Sequence, residues 1–191
     1  MSKRLSAIFG CNGQVLSAKE RDFFRDVKPV GFILFGRNCK TPQQVIRLTE
    51  DLHKAVGHEH SLILIDQEGG RVQRLGPPHW PAYPAAGCVA ALAKTEPVEG
   101  QKYMSLLGRL LASDLEPLGI TVNCAPVLDV LQSQTHEIIG DRALGDDPSH
   151  VATFGRAFSE GLLAGGVLPV IKHLPGHGRA RVDSHAELPR V

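Results

Sequence analysis

The segment Lys172-His173-Leu174-Pro175-Gly176-His177-Gly178, followed by Asp183-Ser184-His185, gathers a lysine, three histidines and a carboxylate behind the apolar run Val167-Leu168-Pro169-Val170-Ile171. A buried strand here delivers polar groups to a loop. Asp183 and His185 stand two residues apart, a spacing at which a carboxylate accepts from one imidazole nitrogen, fixes the tautomer and leaves the other nitrogen facing a substrate. Such a pair is a tunable proton donor. Taken alone, the same residues also describe a surface loop whose Asp and His meet only water, because short motifs recur by chance. Pro175, Gly176 and Gly178 exclude a helix, so His173 and His177 cannot share a helix face as a zinc pair does. A metal-dependent hydrolase using His173, His177, Asp66 and His185 stays open as an alternative that elemental analysis would test.

These groups need strands to hold them. Continuous apolar runs recur at Ala7-Ile8-Phe9, from Gly31 to Phe35, from Leu62 to Ile65, from Ile120 to Cys124 and from Val167 to Ile171. Unbroken rather than alternating, they read as five strands of a parallel sheet covered on both faces. Helix signals lie between them. Ser17-Ala18-Lys19-Glu20 is a capping box ahead of Phe23, Phe24 and Val27, and Thr41-Pro42 opens a helix bearing Val45, Leu48, Leu52 and Val56. Met104, Leu107, Leu111 and Leu115 repeat at helical spacing, as do Val151, Phe154, Phe158 and Leu162 after Asp147-Pro148. These are core stripes, not a cofactor box.

Strand and helix in alternation give an α/β fold, either an open doubly wound sheet or a (β/α)8 TIM-type barrel. Gly69-Gly70 lacks the G-x-G-x-x-G spacing of a nucleotide fold. Polar groups follow every strand instead: Cys11-Asn12, Arg37-Asn38, Asp66-Gln67-Glu68, Asp129 and Lys172-His173. That distribution is the habit of a barrel. A complete barrel typically needs about 250 residues, against 191 here with five strands visible. The expectation is therefore that residues 1–191 form the amino-terminal portion of a single barrel domain, with about the first five βα units.

Composition narrows the function. With 21 basic and 20 acidic residues and a net charge of +1, the chain has no long basic run for tracking phosphates, so nucleic acid is not an expected partner. Cys11, Cys39, Cys88 and Cys124 are scattered without C-x-x-C spacing and read as reduced thiols. The opening Met1 to Cys11 has a basic pair, but its apolar stretch is shorter than the ~7–15 residues of an export signal. No run approaches membrane-spanning length, and a cytoplasmic location without membrane attachment is expected. Gly76-Pro77-Pro78-His79-Trp80-Pro81-Ala82-Tyr83-Pro84 is too rich in proline for helix or strand and reads as an ordered loop on the active face. Trp80 either stacks on a bound ring or wedges that loop together.

Four blocks in order carry a specific resemblance: Asp66-Gln67-Glu68-Gly69-Gly70-Arg71-Val72-Gln73-Arg74, Pro126-Val127-Leu128-Asp129-Val130, Gly140-Asp141-Arg142, and Lys172 to Gly178 with Asp183-Ser184-His185. Together they resemble glycoside hydrolase family 3, in its branch of bacterial β-N-acetylglucosaminidases (β-N-acetylhexosaminidases) that recycle peptidoglycan sugars. The similarity runs from the first strand to the last residue. It implies the barrel fold and a retaining exo-β-N-acetylglucosaminidase acting on terminal N-acetyl-β-glucosaminides of muropeptide-type, cell-wall sugars, with no metal or organic cofactor.

The resemblance also assigns roles. His185 is implied as the acid/base with Asp183 as its partner, replacing the second carboxylic acid that most retaining glycosidases place roughly 5–5.5 Å from the nucleophile. A neighbouring anion favours imidazolium and keeps such a group near neutral pKa. Asp66, at a strand end, is expected to accept from two adjacent sugar hydroxyls. Arg74, Arg142, Lys172 and His173 match positions that grip the sugar in the first subsite. Glu68 and Arg71 are read as a structural ion pair beneath that shell, Asp129 as an orienting group and His177 as loop architecture. The family's nucleophile, an aspartate on a later strand, would fall beyond Val191, so the 191 residues alone are expected to be inactive. The alternative is an inactive sugar-binding remnant of the same barrel. Arg179-Ala180-Arg181 departs from the family's usual acidic and small residues after Gly178 and leaves the loop's electrostatics open.

Overall fold

The computed structural model describes residues 4–57, 61–92 and 96–190; Met1, Ser2 and Lys3 of the basic opening, and the final Val191, lie outside the described residues. Five parallel strands form one sheet in the order β1 (Leu5–Gly10), β2 (Pro29–Leu34), β3 (Leu62–Ile65), β6 (Val122–Asn123), β7 (Leu168–Pro169). Chain order and sheet order coincide, as right-handed strand-helix-strand crossovers require when each strand is laid beside the last. Between them run α1 (Ala18–Val27), α2 (Pro42–Val56), α3 (Ala86–Leu92), α4 (Pro97–Leu115) and α5 (Pro148–Ala164). After β3 the chain folds back in an antiparallel ribbon of β4 (Gln67–Gly69) and β5 (Val72–Gln73).

The helix starts follow the sequence signals. Ser17 Oγ accepts from the Glu20 N–H while Glu20 accepts from the Ser17 N–H, so both halves of the capping box are made. Thr41 and Asp147 cap α2 and α5 with Pro42 and Pro148 at the first helical position. Phe24, Phe32, Leu48, Leu52, Ile63 and Ile65 are buried between α1, α2 and the sheet, while Met104, Leu111, Phe154 and Phe158 fill the seam of α4 and α5. Glycine lets those two helices meet. A Cβ on Gly161 would collide with the Ser105 carbonyl, and one on Gly108 with the Phe158 carbonyl.

Two strands are shorter than their apolar runs. β6 and β7 pair over two residues each, with the Leu168 and Val170 N–H groups donating to the Thr121 and Asn123 carbonyls at 2.9 Å. Pairing resumes one step on. Val127 bridges Lys172, with the Leu128 N–H donating to the Lys172 carbonyl at 2.7 Å. Leu5 and Ile8 on β1, and Leu168, Val170 and Ile171 at β7, remain about half exposed along the two outer edges of the sheet. Trp80 is not a platform. It is 8% exposed and packed in the core, which decides for the wedge and against sugar stacking.

Candidate active site at the carboxyl ends of the strands

Five residues expected to grip a sugar come together. Asp66 follows β3, Arg74 follows β5, Arg142 ends a 3-10 turn (Gly140–Arg142), and Lys172 and His173 follow β7 across a cis peptide. Asp66 receives Lys172 Nζ on Oδ1 at 3.0 Å and Arg74 on Oδ2 at 3.1 Å. Burial by itself would raise its pKa, but the Lys172 ammonium and then the Arg74 guanidinium hold it below the ordinary carboxylate value. Each oxygen keeps a lone pair for a hydroxyl donor.

Glu68 lies beneath. Its partner is not Arg71, as its nearness in sequence suggested, but Arg142, whose Nε and NH2 grip both carboxylate oxygens at 2.8 and 2.9 Å, and Lys172 Nζ at 2.5 Å. The side chains of Glu68 and Arg142 are only 5% and 10% exposed. Arg142 also donates through NH1 to the Ile138 carbonyl and lies 3.5 Å from His173 Nε2. Most of its five N–H groups are thereby committed to protein, so Arg142 braces the shell more than it lines it. Burial would lower its pKa, yet the Glu68 carboxylate keeps the guanidinium charged. Arg71 turns the other way, to Asp141 at 3.2 Å and to the carbonyls of Glu137, Ile138 and Ile139, and so pins the turn that carries Arg142.

Asp129 orients its neighbours as expected. Its buried carboxylate meets His173 Nδ1 at 2.6 Å and accepts the His177 N–H at 2.5 Å. Burial pushes its pKa up, but those two bonds more than reverse the effect and leave it below the ordinary value. His177 contributes its backbone to this array, in keeping with a loop role.

Asp183 and His185 form a pair, with Nδ1 of His185 2.7 Å from Asp183 Oδ1 and the His185 N–H on the same oxygen at 2.9 Å. The His185 backbone and side-chain bonds depress the Asp183 pKa. The imidazole is 81% exposed, and its hydrogen bonds go to Asp183 rather than to the Asp66 network. The alternative metal set is not assembled either: no group of three or more His, Cys, Asp or Glu is placed to hold an ion among the described residues.

One participant was missed in the sequence. Gln67 is fully buried; its backbone N–H donates to Asn123 Oδ1 and its carbonyl accepts from Asn123 Nδ2, while its side chain spans to the backbone of Arg74 and Leu75. This amide sets the ribbon and thereby aims Arg74 at Asp66. The only local signal was a polar residue directly after an apolar strand end. Cysteine chemistry is disfavoured at the site, since burial pushes the Cys124 thiol up to about 11 and Cys39 to about 12. No helix among the described residues is long and apolar enough to cross a membrane.

Ionised and hydrogen-bonding groups converging beyond the carboxyl ends of parallel strands define an α/β scaffold of the kind that carries its site on the following loops. The chain belongs to glycoside hydrolase family 3: residues 12–191 match the Glycosyl hydrolase family 3 N terminal domain. A beta-hexosaminidase of Alkalilimnicola ehrlichii is 39% identical over 183 residues, covering 96% of this chain and 52% of the relative. The crystal structure of native NagZ from Neisseria gonorrhoeae superposes with a TM-score of 0.90 at 33% identity, covering 97% of this chain and 54% of that one. NagZ from the same organism in complex with N-trifluoroacetyl-D-glucosamine also superposes with a TM-score of 0.90, at 31% identity. The chain spans about half the length of the relatives it matches.

Proposed function

We propose that this chain forms the sugar-gripping face, and contributes the acid/base pair, of a retaining exo-β-N-acetylglucosaminidase that removes terminal N-acetyl-β-glucosaminyl residues from muropeptide-type fragments in cytoplasmic cell-wall recycling. The observation that carries the reading is the convergence of Asp66, Arg74, Lys172 and His173 in one network at the strand ends. A carboxylate held between two cations, with donors on either side, suits the alternating donor and acceptor demands of adjacent sugar hydroxyls and an acetamido carbonyl. The relatives named beta-hexosaminidase and the NagZ complex with an N-acetylglucosamine analogue support the substrate class. In this reading His185 gives a proton through Nε2 to the leaving oxygen and then takes one from water, while Asp183 holds Nδ1–H. In this reading the carboxylate nucleophile, and the strands that would close a (β/α)8 barrel on the β1 and β7 edges, come from the half of the relatives' length that this chain does not span.

The test has two parts. The 191-residue chain should bind N-acetylglucosamine saturably, and Asp66→Ala or Arg74→Ala should weaken that binding with circular dichroism unchanged; equal affinity in either variant removes that residue from the site. The chain alone should show no turnover of a chromogenic N-acetyl-β-glucosaminide. Extended to its relatives' length it should hydrolyse that substrate with retention, and His185→Ala should slow poor leaving groups most, because good ones need little protonation. An equal loss on both substrate types rules out His185 as the acid.

A further inference from the structure

Asp183 holds His185 with one oxygen only: the His185 N–H and Nδ1 both fall on Oδ1, while the Asp183 backbone carbonyl takes the N–H groups of Ala186 and Glu187. Oδ2 has no hydrogen-bond partner among the described residues. A second imidazole stands nearby. His136, half-buried on the segment that leads to Arg142, donates its backbone N–H at 3.0 Å to the carbonyl of Ala180, three residues before Asp183, and its charge bears on Asp183. Resting on the glycosidase reading above, we propose that His136 is a positioning residue of the acid/base pair, sharing the Asp183 carboxylate with His185 and so setting how tightly that carboxylate holds the His185 proton.

Three observations support the proposal. First, the tautomer of His136 is fixed. Its Nδ1 accepts the Ile138 N–H at 3.1 Å, so the neutral ring carries its proton on Nε2. That N–H has no partner among the described residues, which leaves an uncommitted donor beside a carboxylate with an uncommitted oxygen. Where two such groups stand too far apart for a direct bond, one water spans them at little cost. Second, His136 is tied to the loop that carries the pair. Ala180 is fully buried under the His136 N–H, Thr135 donates to the Gly178 carbonyl, and the Ile139 N–H closes on the His136 carbonyl at 3.0 Å. Third, the Asp183 pKa is lowered first by the His185 bonds and then, from outside the loop, by His136. The other ionisable groups here are His177, Arg179, Arg181 and Glu187 on the loop and Glu137 beside His136. A carboxylate shared by two imidazoles favours each imidazolium less than it would favour one alone. For a group that must give a proton and then take one back, the looser hold eases the giving.

Imidazole titration of the 191-residue chain by NMR makes the test, each histidine signal being assigned by its own substitution. His136→Asn is the informative change: the amide oxygen accepts the Ile138 N–H as Nδ1 does, the bond of an Asx-turn, but the Nε2–H is gone. A merely structural role for His136, which asparagine preserves, leaves the His185 midpoint where it was. Under the proposal that midpoint should rise by about 0.2–0.7 pH unit, the range that exposed charge contacts supply, and by less at high salt. In an Asp183→Asn background, His136→Asn should leave it unchanged, because the effect passes through the shared carboxylate. Reciprocally, His185→Gln, at a side chain 81% exposed, should raise the His136 midpoint by a similar amount; this arm decides alone if the His136→Asn chain does not fold. An unmoved His185 midpoint, a rise that persists without the Asp183 carboxylate, or a His136 midpoint indifferent to His185→Gln overturns the proposal. Each of these leaves the glycosidase reading standing, since that reading is judged by sugar binding and turnover, neither of which the titration uses.

Discussion

Glu68→Gln measures what the ion cluster under the site contributes to folding. The carboxylate is 5% exposed and meets Arg142 through both oxygens and Lys172 through one. An amide keeps the shape, so no cavity opens, but the negative charge is gone and an N–H now faces a cation. Breaking a buried pair by removing one partner costs about 3–5 kcal/mol. Two features pull this case toward the lower figure: Lys172 keeps Asp66 at 3.0 Å, and Arg142 keeps the Ile138 carbonyl at 2.8 Å. A loss of about 3 kcal/mol is therefore expected, which for a chain of this size lowers Tm by roughly 6–12 °C. Urea and thermal unfolding followed by circular dichroism would measure it for the unmodified chain, Glu68→Gln, Arg142→Met and the double variant. The double variant should be less destabilised than the sum of the singles, by about 1–3 kcal/mol, because the second change removes the charge stranded by the first. The loss should hardly vary with salt, since buried pairs are poorly screened. A loss under about 1 kcal/mol, the range of exposed pairs, or strict additivity would refute the claim that this cluster is a buried, coupled unit.

Acidification should weaken the fold through Asp129, whose folded pKa lies below the unfolded value. Such a group adds stability that is fully present above the unfolded carboxylate pKa near 4 and is lost as pH falls through the lower folded value. The stability difference between the unmodified chain and Asp129→Asn should accordingly shrink between about pH 5 and about pH 2, and a constant difference would contradict it. Gly161→Ala should destabilise by about 2 kcal/mol, although alanine is intrinsically the better helix former by about 1 kcal/mol, because its methyl meets the Ser105 carbonyl across the α4/α5 seam. A stabilised Gly161→Ala variant in urea would mean that the seam is looser than drawn. Trp80 emission should stay unchanged at saturating N-acetylglucosamine, since the indole is packed in the core; quenching or a spectral shift on binding would restore the stacking role.

Local signals carried much of the architecture. All five sheet strands fall on unbroken apolar runs, and α1, α2 and α5 begin at their capping residues, because strand burial and helix capping are decided within a few neighbours. What escaped was set from far away. The β4–β5 ribbon depends on Gln67 exchanging hydrogen bonds with Asn123, 56 residues on, and has no period of its own. α3, Ala86–Leu92, is made of small apolar residues without a capping box and is fixed by Gly87 seated against the carbonyls of Asp141 and Ala143. Glu68 and Arg71 look like partners because they are three apart. The turn at Gly69-Gly70, both with positive φ, sends Arg71 to the 137–141 segment and leaves Glu68 to a residue 74 positions away. The individual residues of the ion cluster at the strand ends were legible by motif, but their division into a more exposed layer and a buried, bracing layer was not, since burial of Arg142 is a property of the assembled loops.

The two parts of the candidate site are built on different physics. Asp183 and His185 meet across one intervening residue, so closing their contact costs almost no loop entropy. The shell draws Asp66, Arg74, Arg142 and Lys172 from segments up to 106 residues apart, and that closure is made possible only by the packing of β3, β6 and β7. The chemistry of the pair is therefore written into its own sequence, whereas its position relative to the shell is set by the segment joining His173 to Asp183. That segment is tied down by the Asp129 carboxylate on the His177 N–H, by Thr135 on the Gly178 carbonyl and by buried Ala180. Under the proposed function, proton transfer from His185 demands placement to within a fraction of an ångström. On this structure the residues that govern such placement are the small ones, Gly178 and Ala180, whose lack of side-chain bulk lets the loop lie flat against residues 130–136.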